Sequence, residues 1–228
     1  MKIVLLHAFP LDERMWEPQL EPLREYDVVA PRLYGSSATI AEIAATVLDE
    51  HEGELALVGA SLGGYTALEL AHQDPERVRA LVLVGARADA DTPERRAARA
   101  DTIALIEDGG AEALWENQRP RLLLEAASES AVERARQEAF DRSRDELVAA
   151  VGALRDREDR TGTLSAFGGP VLMAVGEGDA FFPPDEARVQ AQLAPRGRFR
   201  EFSGAGHLPS LEQPDEFNAA LAQFLTDV

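Results

Sequence analysis

The stretch Leu55-Ala56-Leu57-Val58-Gly59-Ala60-Ser61-Leu62-Gly63-Gly64 decides how the rest of the chain is read. Leu55–Gly59 is an apolar run with no polar face, the pattern of a strand covered on both sides. A helical run follows, from Leu62 to His72. A serine between the two, flanked by small residues, fits a sharp strand-to-helix turn that presents a nucleophilic hydroxyl. Glycine two residues before and two after keeps neighbouring backbone clear of such a turn. The helix N-terminus then places backbone N–H groups beside the hydroxyl, where they suit developing negative charge. A glycine-rich turn can also grip a cofactor phosphate. Dinucleotide binding wants Gly-x-Gly-x-x-Gly, however, and the third position here is Ser61.

Outward from this turn, short apolar runs alternate with helical patterns. Ile3–His7, Tyr26–Ala30, Ala80–Val84, Val171–Gly176 and Phe199–Phe202 read as further strands. Thr39–Glu52, Glu186–Leu193 and Glu216–Leu225 carry apolar residues at helical spacing. Strand–helix alternation implies parallel pairing through right-handed crossovers, hence a three-layer α/β sandwich with a mostly parallel sheet. Residues 87–165 break the alternation and hold no strand pattern. Amphipathic helices are expected there around Glu94–Glu107, Ala111–Ala127, Ala131–Arg142 and Asp145–Arg155, punctuated by Pro93, Gly109-Gly110, Pro120 and Gly152. The expected organisation is a core of residues 1–86 and 166–228 with a helical cap at 87–165 inserted between two strands. An ordinary long helical crossover is the plainer reading of the same segment.

Composition narrows the function. The 228 residues are 45% hydrophobic and 28% charged, the balance of an ordinary globular protein. No apolar run approaches the roughly 20 residues needed to cross a bilayer, and no secretory signal pattern opens the chain, so a cytoplasmic protein is expected. With no cysteine, disulfides, thiolate nucleophiles and thiolate metal sites are excluded. Four scattered histidines form no metal-binding pattern, so neither a metal nor an organic cofactor is expected. The net charge of −18 repels a phosphate backbone and argues against nucleic acid. Lys2 is the one lysine, too near the terminus for Schiff-base chemistry, and no Walker-type Gly-Lys-Ser/Thr run exists.

A serine hydroxyl needs a base to take its proton. His51 and His72 fall late in helical runs, where an imidazole caps carbonyls or meets solvent. His207 stands in the loop Ser203-Gly204-Ala205-Gly206-His207-Leu208-Pro209 after a strand, where α/β sheets place working groups. The base in turn needs an acid to fix its tautomer. Asp179 in Gly176-Glu177-Gly178-Asp179 follows the strand Val171–Gly176 and is preferred, with Glu177 as its competitor. His7-Ala8-Phe9-Pro10 follows the first strand, and a rigid turn there could aim the Phe9 N–H at an oxyanion beside the Leu62 N–H.

With these motifs in the order Ser61, Asp179, His207, the chain resembles the α/β-hydrolase family along nearly its whole length, most closely small capped carboxylesterases and enol-lactone hydrolases. The resemblance implies a triad of Ser61, Asp179 and His207, oxyanion donors at the Phe9 and Leu62 amides, and a cap at residues 87–165. It implies a serine hydrolase acting on small-molecule esters or lactones, as a monomer or homodimer. Carbon–carbon, thioester or perhydrolysis chemistry on the same triad, or a binding protein that keeps the fold, are the alternatives. Three features depart from the family pattern. Ala8 stands where glycine is usual, Pro31–Ser37 replaces a common Gly-His-Gly run, and the chain opens directly at the first strand, leaving about six. Leu114, Trp115, Leu122, Leu123 and Phe140 are expected to pack cap on core and partly line an acyl pocket. Arg119 and Arg121 flank Pro120 and could meet a substrate carboxylate, although a surface role is the simpler expectation.

Overall fold

A strand that is apolar on consecutive residues must be covered on both faces, and β3 (Leu55–Ala60) and β5 (Val171–Gly176) are buried at every position. The computed structural model describes residues 1–35 and 39–228. With β1 (Lys2–Leu6), β2 (Asp27–Val29), β4 (Val78–Val84) and β6 (Gly197–Phe202), these strands form a six-stranded sheet in the order β2-β1-β3-β4-β5-β6. Every pairing is parallel. The registers Leu6 with Gly59, Ala60 with Val84 and Gly176 with Phe202 bring the carboxyl ends of the strands to one edge. The fold is the expected three-layer sandwich.

Alternation along the strands feeds two cores. Val4, Leu6, Leu57, Leu83 and Met173 face one side, where they pack with α2 (Ile40–Glu50), α3 (Leu62–Gln73) and α8 (Pro184–Ala191). Ile3, Leu5, Val58, Val82 and Ala174 face the other, with Trp16 beside the short α1 (Glu17–Leu20) and with Phe217 and Phe224 of α10 (Pro214–Leu225). The start of α2 is set by a capping box between Thr39 and Glu42, which shifts Thr39 from first helical residue to cap. β4 starts earlier than the apolar run suggests, because the exposed Arg79 interrupts an otherwise buried strand.

Four helices stand between β4 and β5: α4 (Pro93–Leu122), α5 (Glu129–Phe140), α6 (Arg144–Arg155) and α7 (Thr161–Ala166). Gly110, at φ 66° and ψ −154°, breaks α4 into two arms at the expected glycine pair. The second arm ends at Leu122, short of the expected Ala127. The Leu123 amide instead closes the turn on the Arg119 carbonyl at 3.1 Å. The six-residue α7 and the four-residue α9 (Pro209–Glu212) are too short to show a helical period, and neither was expected. No helix among the described residues is long and apolar enough to cross a membrane.

The insert is fastened to the core by arginines. Arg142 meets Asp12 at 2.9 Å, with both side chains almost fully buried, and Arg160 meets Glu69 at 2.7 Å. Arg157 meets Asp91 at 2.7 Å and stacks over Tyr65 of α3 at 4.2 Å. Breaking such a buried pair leaves a stranded charge, at a cost of about 3–5 kcal/mol. The Asp12 amide also donates to Glu138 Oε2 at 3.1 Å. Burial, with Asp12 adding repulsion, pushes the Glu138 carboxyl up to about 8. Because its folded value stands above the ordinary 4.5, folding favours the protonated acid, and that contribution is lost as pH rises from 4.5 through about 8. Glu138→Gln, which mimics the protonated form, should therefore gain stability relative to wild type across this window, by a few kcal/mol at its top. Urea titrations at several pH values check this, and a constant difference between the two proteins would refute it.

Candidate active site

The site begins with a backbone constraint. Ser61 has φ 48° and ψ −108°, a conformation that costs a non-glycine residue of order 1–3 kcal/mol. The turn is pinned on both sides: the Ser61 amide donates to the Val84 carbonyl at 2.8 Å, and the Tyr65 amide donates to the Ser61 carbonyl at 3.0 Å. The flanking glycines answer close packing. A Cβ on Gly59 would sit 2.2 Å from the Gly63 carbonyl oxygen, and one on Gly63 would sit 2.0 Å from that of Leu6. The N-terminus of α3 is thereby pressed against the end of β1. Among the described residues, the Leu62 and Phe9 amides have no protein acceptor.

Asp179 and His207 come together as expected. His207 Nδ1 lies 2.8 Å from Asp179 Oδ2, with both side chains nearly inaccessible. The other carboxylate oxygen accepts from the Phe181 amide at 2.8 Å and the Phe182 amide at 3.0 Å. These donors fix the orientation of the carboxylate. The competitor Glu177 points elsewhere, accepting from the Gly204 amide at 3.2 Å on the exposed side of the loop. His51 closes α2, and His72 is exposed, near Thr163 Oγ1 at 3.3 Å. Neither of these histidines lines the cleft.

Ser61, His207, Phe9 and Pro10 line one narrow cleft of about 30 Å³, roofed by Leu122, Leu154, Arg99, Thr102 and Gln118 from the insert. Leu122 and Leu154 thus combine packing with lining, whereas Leu114 and Trp115 only pack. Of the two arginines that flank Pro120, Arg121 lines a cavity next to this cleft; Arg119 lines neither.

The His7–Asp12 segment is rigid for identifiable reasons. His7 is fully buried, accepts from the Leu33 amide at Nε2 (2.9 Å) and lies 3.2 Å from the Ala8 carbonyl at Nδ1. That pattern assigns the proton to Nδ1, and burial lowers the pKa to about 4, so the ring stays neutral. The peptide between Phe9 and Pro10 is cis. The Ala8 methyl, in place of the usual glycine, is buried in the core beside Leu11 and Met15. In the Pro31–Ser37 run, Tyr34 donates to the Leu11 carbonyl at 2.8 Å and stacks on His7, while Ser36 and Ser37 lie outside the described residues.

Two residues that the sequence reading did not single out complete the geometry. Glu212, buried on α9, accepts from the Gly206 amide at 2.9 Å and the Leu208 amide at 3.3 Å, the two amides that flank His207. Its other oxygen takes the Leu124 amide at 2.8 Å, which ties the end of the α4 arm to the histidine loop. An acid soon after a loop histidine is the one sequence signal that could have found it. Gly85, at φ 56°, backs the Asp–His pair: a Cβ there would lie 2.8 Å from two imidazole atoms and 3.1 Å from Asp179 Oδ2. Gly85→Ala should therefore displace the imidazole and lower any His207-dependent activity by two orders of magnitude or more, with a far smaller loss in thermal stability. Kinetics and calorimetry on the purified variant check this; near-normal turnover would refute it.

The fold has known counterparts. The alpha/beta hydrolase family matches residues 3–220. A pimeloyl-[acyl-carrier protein] methyl ester esterase from Nitrosomonas europaea is 29% identical over 94% of this chain and 92% of its own length. The malate-bound structure of a thermophilic esterase from Thermogutta terrifontis superposes with a TM-score of 0.91 at 31% identity, over 99% of this chain and 89% of that one. The enol-lactonase from Burkholderia xenovorans LB400 shares the fold, with a TM-score of 0.89 at 23% identity over 99% and 91% of the two chains. From strand order to elbow turn, the chain is a member of the alpha/beta hydrolase family.

Proposed function

We propose that the protein is a serine hydrolase that cleaves carboxylic esters or lactones of small molecules through an acyl-enzyme. The observation that carries this reading is the strained elbow at Ser61, which lines one cleft with a His207 imidazole fixed by Asp179. The esterases among its relatives favour the same reading.

In this mechanism Ser61 Oγ attacks the ester carbonyl while His207 Nε2 accepts its proton. Asp179, held by the Phe181 and Phe182 amides, keeps the His207 proton on Nδ1 and stabilises the imidazolium. The Phe9 and Leu62 amides receive the oxyanion, and preorganised donors of this kind are worth about 3–4 kcal/mol each. His207 then protonates the leaving alcohol and activates water, which releases the acid and regenerates Ser61. The helices of the 87–165 insert act as the cap: with Leu122 and Leu154 over Ser61, they exclude bulk water and select the acyl group. Grafting a relative's cap should reorder ester preference while Ser61 stays essential.

Ser61→Ala should lower turnover of short p-nitrophenyl esters by about 10⁶-fold. His207→Ala should be nearly as damaging, and Asp179→Asn should cost several orders of magnitude. Glu177→Gln, His51→Ala and His72→Ala should stay within a few-fold of wild type. Steady-state kinetics decide it. A tenth of wild-type activity in Ser61→Ala removes the nucleophile assignment, and a larger loss at Glu177 than at Asp179 moves the acid.

A further inference from the structure

The cleft at Ser61 opens into a larger cavity of about 580 Å³, and the two share Tyr65, Arg99, Thr102, Gln118 and Phe181. Four arginines line the larger space: Arg87, Arg95, Arg99 and Arg121. Three of them already hold carboxylates. Arg87 bridges Asp89 at 2.8 Å and Glu186 at 2.7 Å, Arg95 meets Asp89 at 3.2 Å, and Arg99 meets Asp91 at 3.2 Å. Arg121 has neither a carboxylate nor a hydrogen-bond acceptor among the described residues. Of the carboxylates that share the cavity, Asp91 is held by Arg99 and Arg157 and Glu186 by Arg87 and Arg95, while Asp101 is exposed and makes no ion pair with Arg121.

The position of this guanidinium is specific. It lies over the Phe181 ring, 4.1 Å from its centroid, and the same ring meets the His207 imidazole at 4.7 Å between centroids. Stacking on one face leaves the edge of the fork, with its paired N–H donors, free for a planar anion. Arg121 reaches solvent; desolvation and the neighbouring Arg99 lower its pKa while Asp179 raises it, so an anion bound there would offset the repulsion from Arg99 as well as fill donors. In a chain with 41 acidic against 23 basic residues, an unpaired arginine beside the reactive pair stands out from its surroundings.

We propose that Arg121 anchors a carboxylate of the substrate, so that the preferred esters or lactones carry a second, ionised carboxyl group a short chain away from the scissile carbonyl. This rests on the hydrolase reading of Ser61 and deepens it to a substrate class. Arg99, already turned to Asp91, lends the anion a second positive charge across the cavity without a hydrogen bond of its own. An Arg–carboxylate pair is directional and can be bidentate, which fixes which carbonyl of a dicarboxylic half-ester faces Ser61.

The test compares monoethyl succinate, glutarate and adipate with their diethyl esters, following acid release. The readout is the ratio of kcat/KM for the anionic ester to that for its neutral partner. Wild type should favour the half-ester of at least one chain length by on the order of tenfold or more, the worth of a charged hydrogen bond. Arg121→Gln should bring that ratio close to one, Arg121→Lys should recover part of it, and Arg119→Gln should keep the wild-type ratio. A wild-type ratio near one at every chain length, or a ratio unchanged in Arg121→Gln, overturns the anchor and leaves the hydrolase reading intact. A binding arm keeps the two apart in the other direction. Calorimetric titration of Ser61→Ala with monoethyl glutarate needs no turnover, and adding Arg121→Gln should weaken binding by about tenfold. Equal affinity in the two proteins overturns the anchor, whereas failure of wild type to hydrolyse any ester overturns the hydrolase reading alone.

Discussion

One backbone residue in an unfavourable conformation organises this molecule. Ser61 holds φ 48° because β3 must end and α3 must begin within a single step, with α3 pressed onto β1. The rest of the architecture supplies that pressure. β3 lies between β1 and β4, Gly63 packs on the Leu6 carbonyl, and the Val84 carbonyl takes the Ser61 amide. A cost of order 1–3 kcal/mol at one residue is small beside the apolar burial on both faces of the sheet. That asymmetry is why a strained turn can sit at the centre of a stable domain. The same squeeze leaves the first amides of α3 without intrahelical partners, beside the hydroxyl it exposes.

The insert shows a different economy. Its apolar residues, among them Leu114, Leu147 and Leu154, join the same core as the sheet strands, and arginine–carboxylate pairs, Arg142 with Asp12 and Arg160 with Glu69, cross the seam beside them. Pairs of this kind add little net stability, since desolvation consumes most of the Coulombic gain, but they fix orientation because misplacement strands a charge. Asp12 belongs to the segment that begins at His7 and carries Phe9, so the seat of the insert and the shape of that segment are set together. Glu212 does the same on the opposite side of the cleft, joining Leu124 to the amides that flank His207. The insert is therefore registered to the site at two separate points.

What could be read beforehand, and what could not, follows from the range of the interactions involved. The elbow was legible because its demands are local: a strand run, two glycines and a helix start within ten residues. Asp179 and His207 could be placed at the sheet's carboxyl edge because each lies in a loop just past a strand, Asp179 after the buried β5 and His207 after the edge strand β6. The choice between Asp179 and Glu177 depends on the register of one turn. There the Phe181 and Phe182 amides capture one carboxylate, while the other faces Gly204. The break in the first insert helix was visible as Gly109-Gly110. The Asp12–Glu138–Arg142 cluster was not, because its members meet across more than a hundred residues and no spacing rule joins them. Glu212 escaped for a related reason: it sits on a four-residue helix and serves backbone amides, which carry no residue identity.

The single lysine has a practical consequence. Lys2 opens β1, and in a sheet whose strands all run the same way it therefore stands at the opposite edge from Ser61, Asp179 and His207. The one lysine side chain of this sequence that an amine-coupling reagent can meet thus lies at the edge where the strands begin. Dye attachment or tethering to an activated support through that lysine leaves the edge that carries Ser61, Asp179 and His207 facing away from the modification. Every molecule on such a support would present its cleft to solution in nearly the same orientation, a uniformity that lysine-rich proteins gain only by engineering.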